Sequence, residues 1–187
     1  MTSARRTMFV MVLCLISAVS AAAHAESVSR QRSFALPNHG ELLLSVPAAW
    51  KQAVRQPPRD LPPTITFTPA KGDDFVVFVT PLWSVKNDPT FNKPENVRRL
   101  MEENLGRMLP GSVEQKASLQ EFAGVYGKGY FFFLTDKAPK PGEYPYAVRA
   151  GLGVGGLLLS ATVLCRSKNS EGITSTIRAL QKARQAR

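Results

Sequence analysis

Residues 150–165 read AGLGVGGLLLSATVLC, and no other run constrains the fold as much. Gly151, Gly153 and Gly156 carry the G-x-G-x-x-G spacing of a dinucleotide-binding loop. That motif works only where a strand enters the glycines and a helix leaves them, because the helix N-terminus holds the pyrophosphate. What leaves here is residues 157–165, an apolar run with β-branched Thr162 and Val163, bounded like a strand. The glycines therefore predict a hairpin turn in which they supply positive φ. Glu171 lies about twenty residues past Gly151, where a ribose-binding acid is sought. It belongs instead in the first turn of a closing helix, where the helix dipole gives it an ordinary reason to exist.

With the parallel nucleotide-binding fold set aside, the rest of the chain reads as antiparallel strands and two helices. Residues 37–40 (PNHG) form a tight turn, so the segment SRQRSFAL and the strand ELLLSV after it make a hairpin. Residues 50–55 predict a third strand before the proline-rich QPPRDLPP. TITFT alternates Ile65 and Phe67 against threonines, the period of a strand with one wet face. After the turn at residues 71–74, FVVFVTPLW is apolar at both parities, which predicts a strand covered on both faces. Val97, Leu100, Met101, Leu105 and Met108 then fall at helical spacing, with Asn92 as the expected cap, Pro94 in the first turn and Pro110-Gly111 as the stop. Strands are expected over VEQKASLQEF and GKGYFFFLTD, followed by the polar loop KAPKPGE. A last helix starts near Ser170 with Ile173, Ile177 and Leu180 on one face. The fold class is α+β: an antiparallel sheet of about seven to nine strands, with one mid-chain and one C-terminal helix packed on it.

The first residues set the expected compartment. Arg5 and Arg6 precede a short apolar run that ends in Ala23-His24-Ala25, the pattern of a secretory signal peptide cleaved after Ala25. Residues 26–187 are then a single domain, exported to the periplasm or beyond. The apolar run is shorter than the ~20 residues a spanning helix needs, and no later segment reaches that length. The 187-residue chain carries 24 Lys+Arg against 14 Asp+Glu. Cleavage removes only two of the basic ones, so the exported protein stays strongly basic. In that compartment the charge points to an anionic envelope surface or an acidic partner protein and not to nucleic acid, with plain solubility as the competing explanation. Cys14 leaves with the leader, so Cys165 has no partner for an intramolecular disulfide, and its parity with Leu157, Leu159 and Val163 makes it a buried thiol.

Catalytic chemistry finds little support. His39 is the one histidine outside the leader, which leaves no two-histidine metal site, and no G-x-S-x-G elbow occurs. Asp73-Asp74 and Glu102-Glu103 are carboxylate pairs in a turn and on a solvated helix face. No catalytic residue, metal or cofactor is expected. Binding residues are sought on loops carried by the sheet. If the first five strands run as a meander, the His39 turn, the loop at residues 56–63 and the exit after Trp83 share one end. That end gathers His39, Arg59, Asp60, Trp83, Lys86 and Asp88, with Trp83 as a candidate aromatic anchor. The competing expectation packs Trp83 under the mid-chain helix.

The string GELLLSVPAAW, a short strand followed by proline and tryptophan, together with this order of elements, is similar to the PsbP-like and DcrB-like families. The resemblance implies an antiparallel sheet with helices on its faces and an accessory or assembly role without catalysis. The leading expectation is thus a non-enzymatic envelope protein that binds a partner protein or an anionic surface. A small secreted carboxylate-dependent hydrolase acting on cell-wall glycan and a secreted inhibitor or immunity-type protein are the alternatives.

Overall fold

The computed structural model describes residues 28–58 and 61–186. The signal-peptide segment lies outside them, as do Arg59 and Asp60. The described chain forms two antiparallel sheets and two helices, an α+β architecture. Strands β1 (Ser29–Leu36) and β2 (Gly40–Pro47) pair as a hairpin, and the last strand, β10 (Arg184–Ala186), joins the other edge of β2. The seven remaining strands are β3 (Lys51–Arg55), β4 (Thr64–Thr68), β5 (Phe75–Trp83), β6 (Gln120–Gly124), β7 (Gly127–Thr135), β8 (Tyr146–Val154) and β9 (Leu157–Cys165). They lie in the order β3-β4-β5-β9-β8-β7-β6.

The expected meander of five strands is therefore broken between β2 and β3. Pro47 ends β2, Ala48 N–H donates to Val28 O and Trp50 N–H to Pro47 O, and this tight turn transfers the chain to the larger sheet. Trp50 is the reason the transfer holds. Its ring is buried within 4.9 Å of the Phe75 ring, and its indole N–H donates to Glu171 Oε1 at 3.1 Å. Arg32 closes the junction from outside, donating to the carbonyls of Pro47, Ala48 and Trp50 and to the Gln52 amide oxygen. Burial and the nearby Arg30 both work against its charge.

Three layers result. The small sheet and helix α2 (Glu171–Gln181) cover the inner face of the large sheet, where Phe67, Val77, Leu159, Val163 and Cys165 meet Leu42, Leu44 and Leu180. Ser170 caps α2 by accepting from Gly172 N–H. Helix α1 (Pro94–Met108) covers part of the outer face: Val97, Met101 and Leu105, one residue per turn, sit on Tyr130, Phe132, Leu134 and Leu158. Its opposite side carries the exposed i,i+4 pairs Arg98–Glu102 and Arg99–Glu103, so the Glu102-Glu103 doublet is a solvated face.

The glycine run folds as a hairpin. β8 and β9 pair from Tyr146↔Cys165 to Val154↔Leu157, and Gly155 takes φ +60° in the two-residue turn. Gly153 has a different task. A Cβ there would fall 2.1 Å from the Asn92 carbonyl oxygen, so the bare Cα is what admits the segment leading into α1. Asn92 does not cap α1 as expected. Its amide donates across to Gly155 O and Leu157 O, and Lys93 takes the N-cap position with no side-chain bond, with Pro94 following in the first turn. Of VEQKASLQEF only residues 120–122 are in a strand, the start of β6.

Candidate functional site

The loop end singled out by the sequence brings two of its residues into contact. The His39 and Trp83 rings stack with centroids 4.2 Å apart and planes 18° from parallel. Trp83 is half-buried and packs on the inner-face core, not under α1. A side-chain amide network holds the same end: Gln185 donates to His39 O and accepts from Gly156 N–H, joining β10 to both hairpin turns. Lys86 and Asp88 follow on the exposed loop after β5, and no described hydrogen bond ties either to the stack. Asp88 is occupied locally. It accepts from the Thr90 N–H and hydroxyl, which hold its carboxyl below the usual range.

A second site lies on the outer face of the large sheet, where α1 stops short. The registers Phe78↔Thr162 and Arg149↔Thr162 place Phe78, Thr162 and Arg149 in one row, and Thr80↔Ser160 forms the next. These residues and Leu82 line an open cavity of about 390 Å³. One row the other way, Leu164 pairs with Ala147 and Ala147 with Leu134. With Met108, Ser112 and Tyr144 these line a larger cavity of about 780 Å³ between the end of α1 and the β7–β8 loop. Ala147 and Leu164 stand two residues from Arg149 and Thr162 on the same face, so the two cavities lie side by side in neighbouring rows and together make up a trough.

Arg149 lines the smaller cavity, one row from the larger. It is half-buried on a central strand, and its guanidinium donates to the Thr162 hydroxyl. None of the four ion pairs among the described residues involves it. Burial lowers its pKa first, and the neighbouring Arg107 of α1 lowers it further. A guanidinium has five N–H donors, so most of the hydrogen-bonding capacity of Arg149 stays open toward the trough. The larger cavity offers no cation. Its charged lining residues, Asp136 and Glu143, close turns by accepting from Ala138 N–H and Lys140 N–H. At the cavity's edge Glu114 accepts from the Thr135 N–H and hydroxyl, which keep its carboxyl below the usual range although burial works against the charge.

Sequence reasoning passed over Arg149 because charge was sought in clusters. The available signal was an arginine between Val148 and Ala150 in an otherwise apolar strand that has a neighbour on each side. The other chemistry-bearing groups are structural. Cys165 is fully buried, and that burial raises its pKa. Asp73 pairs with Arg166, whose guanidinium also lies over the Tyr144 ring. Among the described residues no group of three or more His, Cys, Asp or Glu assembles as a metal site, and no helix is long and apolar enough to cross a membrane.

No protein-family model and no curated protein matches this chain. A crystal structure from Bacteroides thetaiotaomicron VPI-5482 is similar to it, with a TM-score of 0.53 at 9% identity. The match covers 78% of this chain and 45% of that one, so this chain spans less than half the length of its structural relative. The likeness is one of fold.

Proposed function

We propose that this chain is a non-catalytic binding protein that works outside the cytoplasm and takes an anionic ligand in the outer-face trough. One observation carries the reading: Arg149, half-buried in the wall of the smaller cavity, meets no described carboxylate. A half-buried cation without a counter-ion is unfavourable in the free protein, and an arriving carboxylate or phosphate relieves it through charge-assisted bonds. The basic balance of the chain raises the local concentration of such ligands. The export pattern of residues 1–25 supplies the compartment, and the likeness of GELLLSVPAAW to the PsbP-like and DcrB-like families supplies the accessory role.

Thermal unfolding in acetate, phosphate and sulfate at fixed ionic strength tests the proposal. Anions that occupy the trough raise the melting temperature of the wild type by mass action, and Arg149→Gln loses that rise. An equal rise in both proteins overturns the site, and no rise in either overturns anion binding. The glycan-hydrolase reading has a foothold in Asp136 and Glu143, which line one cavity. Release of soluble fragments from cell-wall glycan, abolished by Asp136→Asn or Glu143→Gln, would establish it instead.

A further inference from the structure

We infer that the trough's ligand is a monomeric single-chain amphiphile, its carboxylate or phosphate head on Arg149 and its apolar chain laid over Leu134, Ala147, Leu164 and Met108. This rests on the reading of the trough as an anion site and adds the class of ligand.

The two halves of the trough differ in chemistry. Beside Arg149 the floor offers the hydroxyls of Thr80, Ser160 and Thr162, donors suited to the free oxygens of an anionic head. The neighbouring floor of Leu134, Ala147 and Leu164 is apolar, walled by Met108 on one side and by Tyr144 and Pro145 on the other. Its volume of about 780 Å³ falls within the roughly 300–1,000 Å³ of small-molecule sites. Charge fixes the orientation. Asp136 and Glu143 belong to the end of the apolar cavity away from Arg149, since the chain passes from Phe132, beside Arg149, through Leu134 to Asp136. They repel an anionic head from that end and leave Arg149 as its seat.

The same geometry argues against larger partners. Strands β9 and β8 are each paired on both edges, so their backbone donors and acceptors are consumed in the ladder and an extended peptide finds none to bind there. The apolar surface is a cavity beside the end of α1, a shape that a single free chain fills better than a flat bilayer.

Isothermal titration of the purified protein with acetate, hexanoate, octanoate and decanoate, each below its micelle concentration and at constant ionic strength, tests the inference. Affinity is expected to rise about fourfold per added methylene, the equivalent of ~0.8 kcal/mol for each buried CH₂, until the cavity is filled. Arg149→Gln should weaken every member about tenfold or more and leave the rise with length intact. Decanol, measured on the wild type alone, should bind at least tenfold more weakly than decanoate. Anion binding that stays flat with chain length overturns the amphiphile and keeps the anion site. Absence of binding by any acid overturns both readings. Decanol binding as tightly as decanoate removes the head from Arg149. Flotation with phosphatidylglycerol vesicles by a protein that ignores monomeric decanoate overturns the inference in favour of a membrane surface.

Discussion

The two faces of the seven-stranded sheet are built from alternate residues of the same strands, yet along the central strand β9 only one is sealed. Inward, β9 presents Leu157, Leu159, Ala161, Val163 and Cys165, all buried beneath the small sheet and α2. Outward it presents Leu158, Ser160, Thr162 and Leu164, of which only Leu158 is fully covered. The cause is the footprint of the cover. The three-stranded sheet and α2 cover the inner side of β5 and β9 and leave Phe131 and Phe133 of β7 half-buried there, whereas α1 packs on the outer side of β7 and β8 and leaves β5 and much of β9 beside it. Packing accounts for the inward side chains of β9, all of which are buried. On the outer face it leaves Ser160, Thr162 and Leu164 of that strand, with Arg149 and Phe78 beside them, only half-buried, and the proposed binding site draws on that face.

The contrast is broken most directly by an aromatic pair. Phe67→Ala on the inner face should cost about 3–5 kcal/mol by urea unfolding, while Phe78→Ala, half-buried on the outer face, should cost about 1 kcal/mol. Equal losses would mean that the outer face is as tightly packed as the inner. Cys165→Ser comes next, at about 1–3 kcal/mol for a hydroxyl placed in an apolar core. The native thiol should react with a thiol reagent only after denaturant is added, and rapid labelling of the folded protein would contradict its burial.

Trp83 sharpens the comparison, because it lies at the inner-face rim and stacks on His39. A double-mutant cycle of Trp83→Ala and His39→Ala should give a coupling of about 0.5–1.5 kcal/mol for the stacked rings. A coupling near zero would free the pair for a partner. Arg149→Met has the smallest expected effect. Losing an unpaired half-buried charge should leave stability within about 0.5 kcal/mol or raise it slightly, and a clear loss would assign Arg149 a structural bond beyond that to Thr162.

Local patterns made most of the elements legible and said less about which elements meet. The alternation in TITFT, the helical spacing from Val97 to Met108 and the hairpin at the glycines are written in neighbouring residues and reappear as β4, α1 and the β8–β9 turn. FVVFVTPLW was expected to be covered on both faces. Its outward residues Val76, Phe78 and Leu82 are only half-buried, because the reach of a helix placed elsewhere in the chain is not encoded in the strand it fails to cover. Asn92 has the composition of a cap, but the carbonyls of Gly155 and Leu157 are long-range acceptors that no local window contains. The extension of the strand before residue 120 fails for a similar reason. Ser112 bridges to Asp136, Glu114 is drawn to Thr135, and Ala117 and Leu119 turn toward the α1 cluster, so the segment serves three contacts in place of a ladder.

Where the Asn92 carbonyl rests on the bare Cα of Gly153, the chain has a clearance gauge. The 15 residues of α1 make a rod about 22 Å long at ~1.5 Å per residue, seated near one end on that point and forming a wall of the trough at the other. A tilt of roughly five degrees about the seat moves the far end by about 2 Å over that length, the difference between a slot that grips a hydrocarbon chain and one that lets it slide. One hydrogen atom in place of a methyl group, far from Arg149, thus calibrates the width of an opening it never touches.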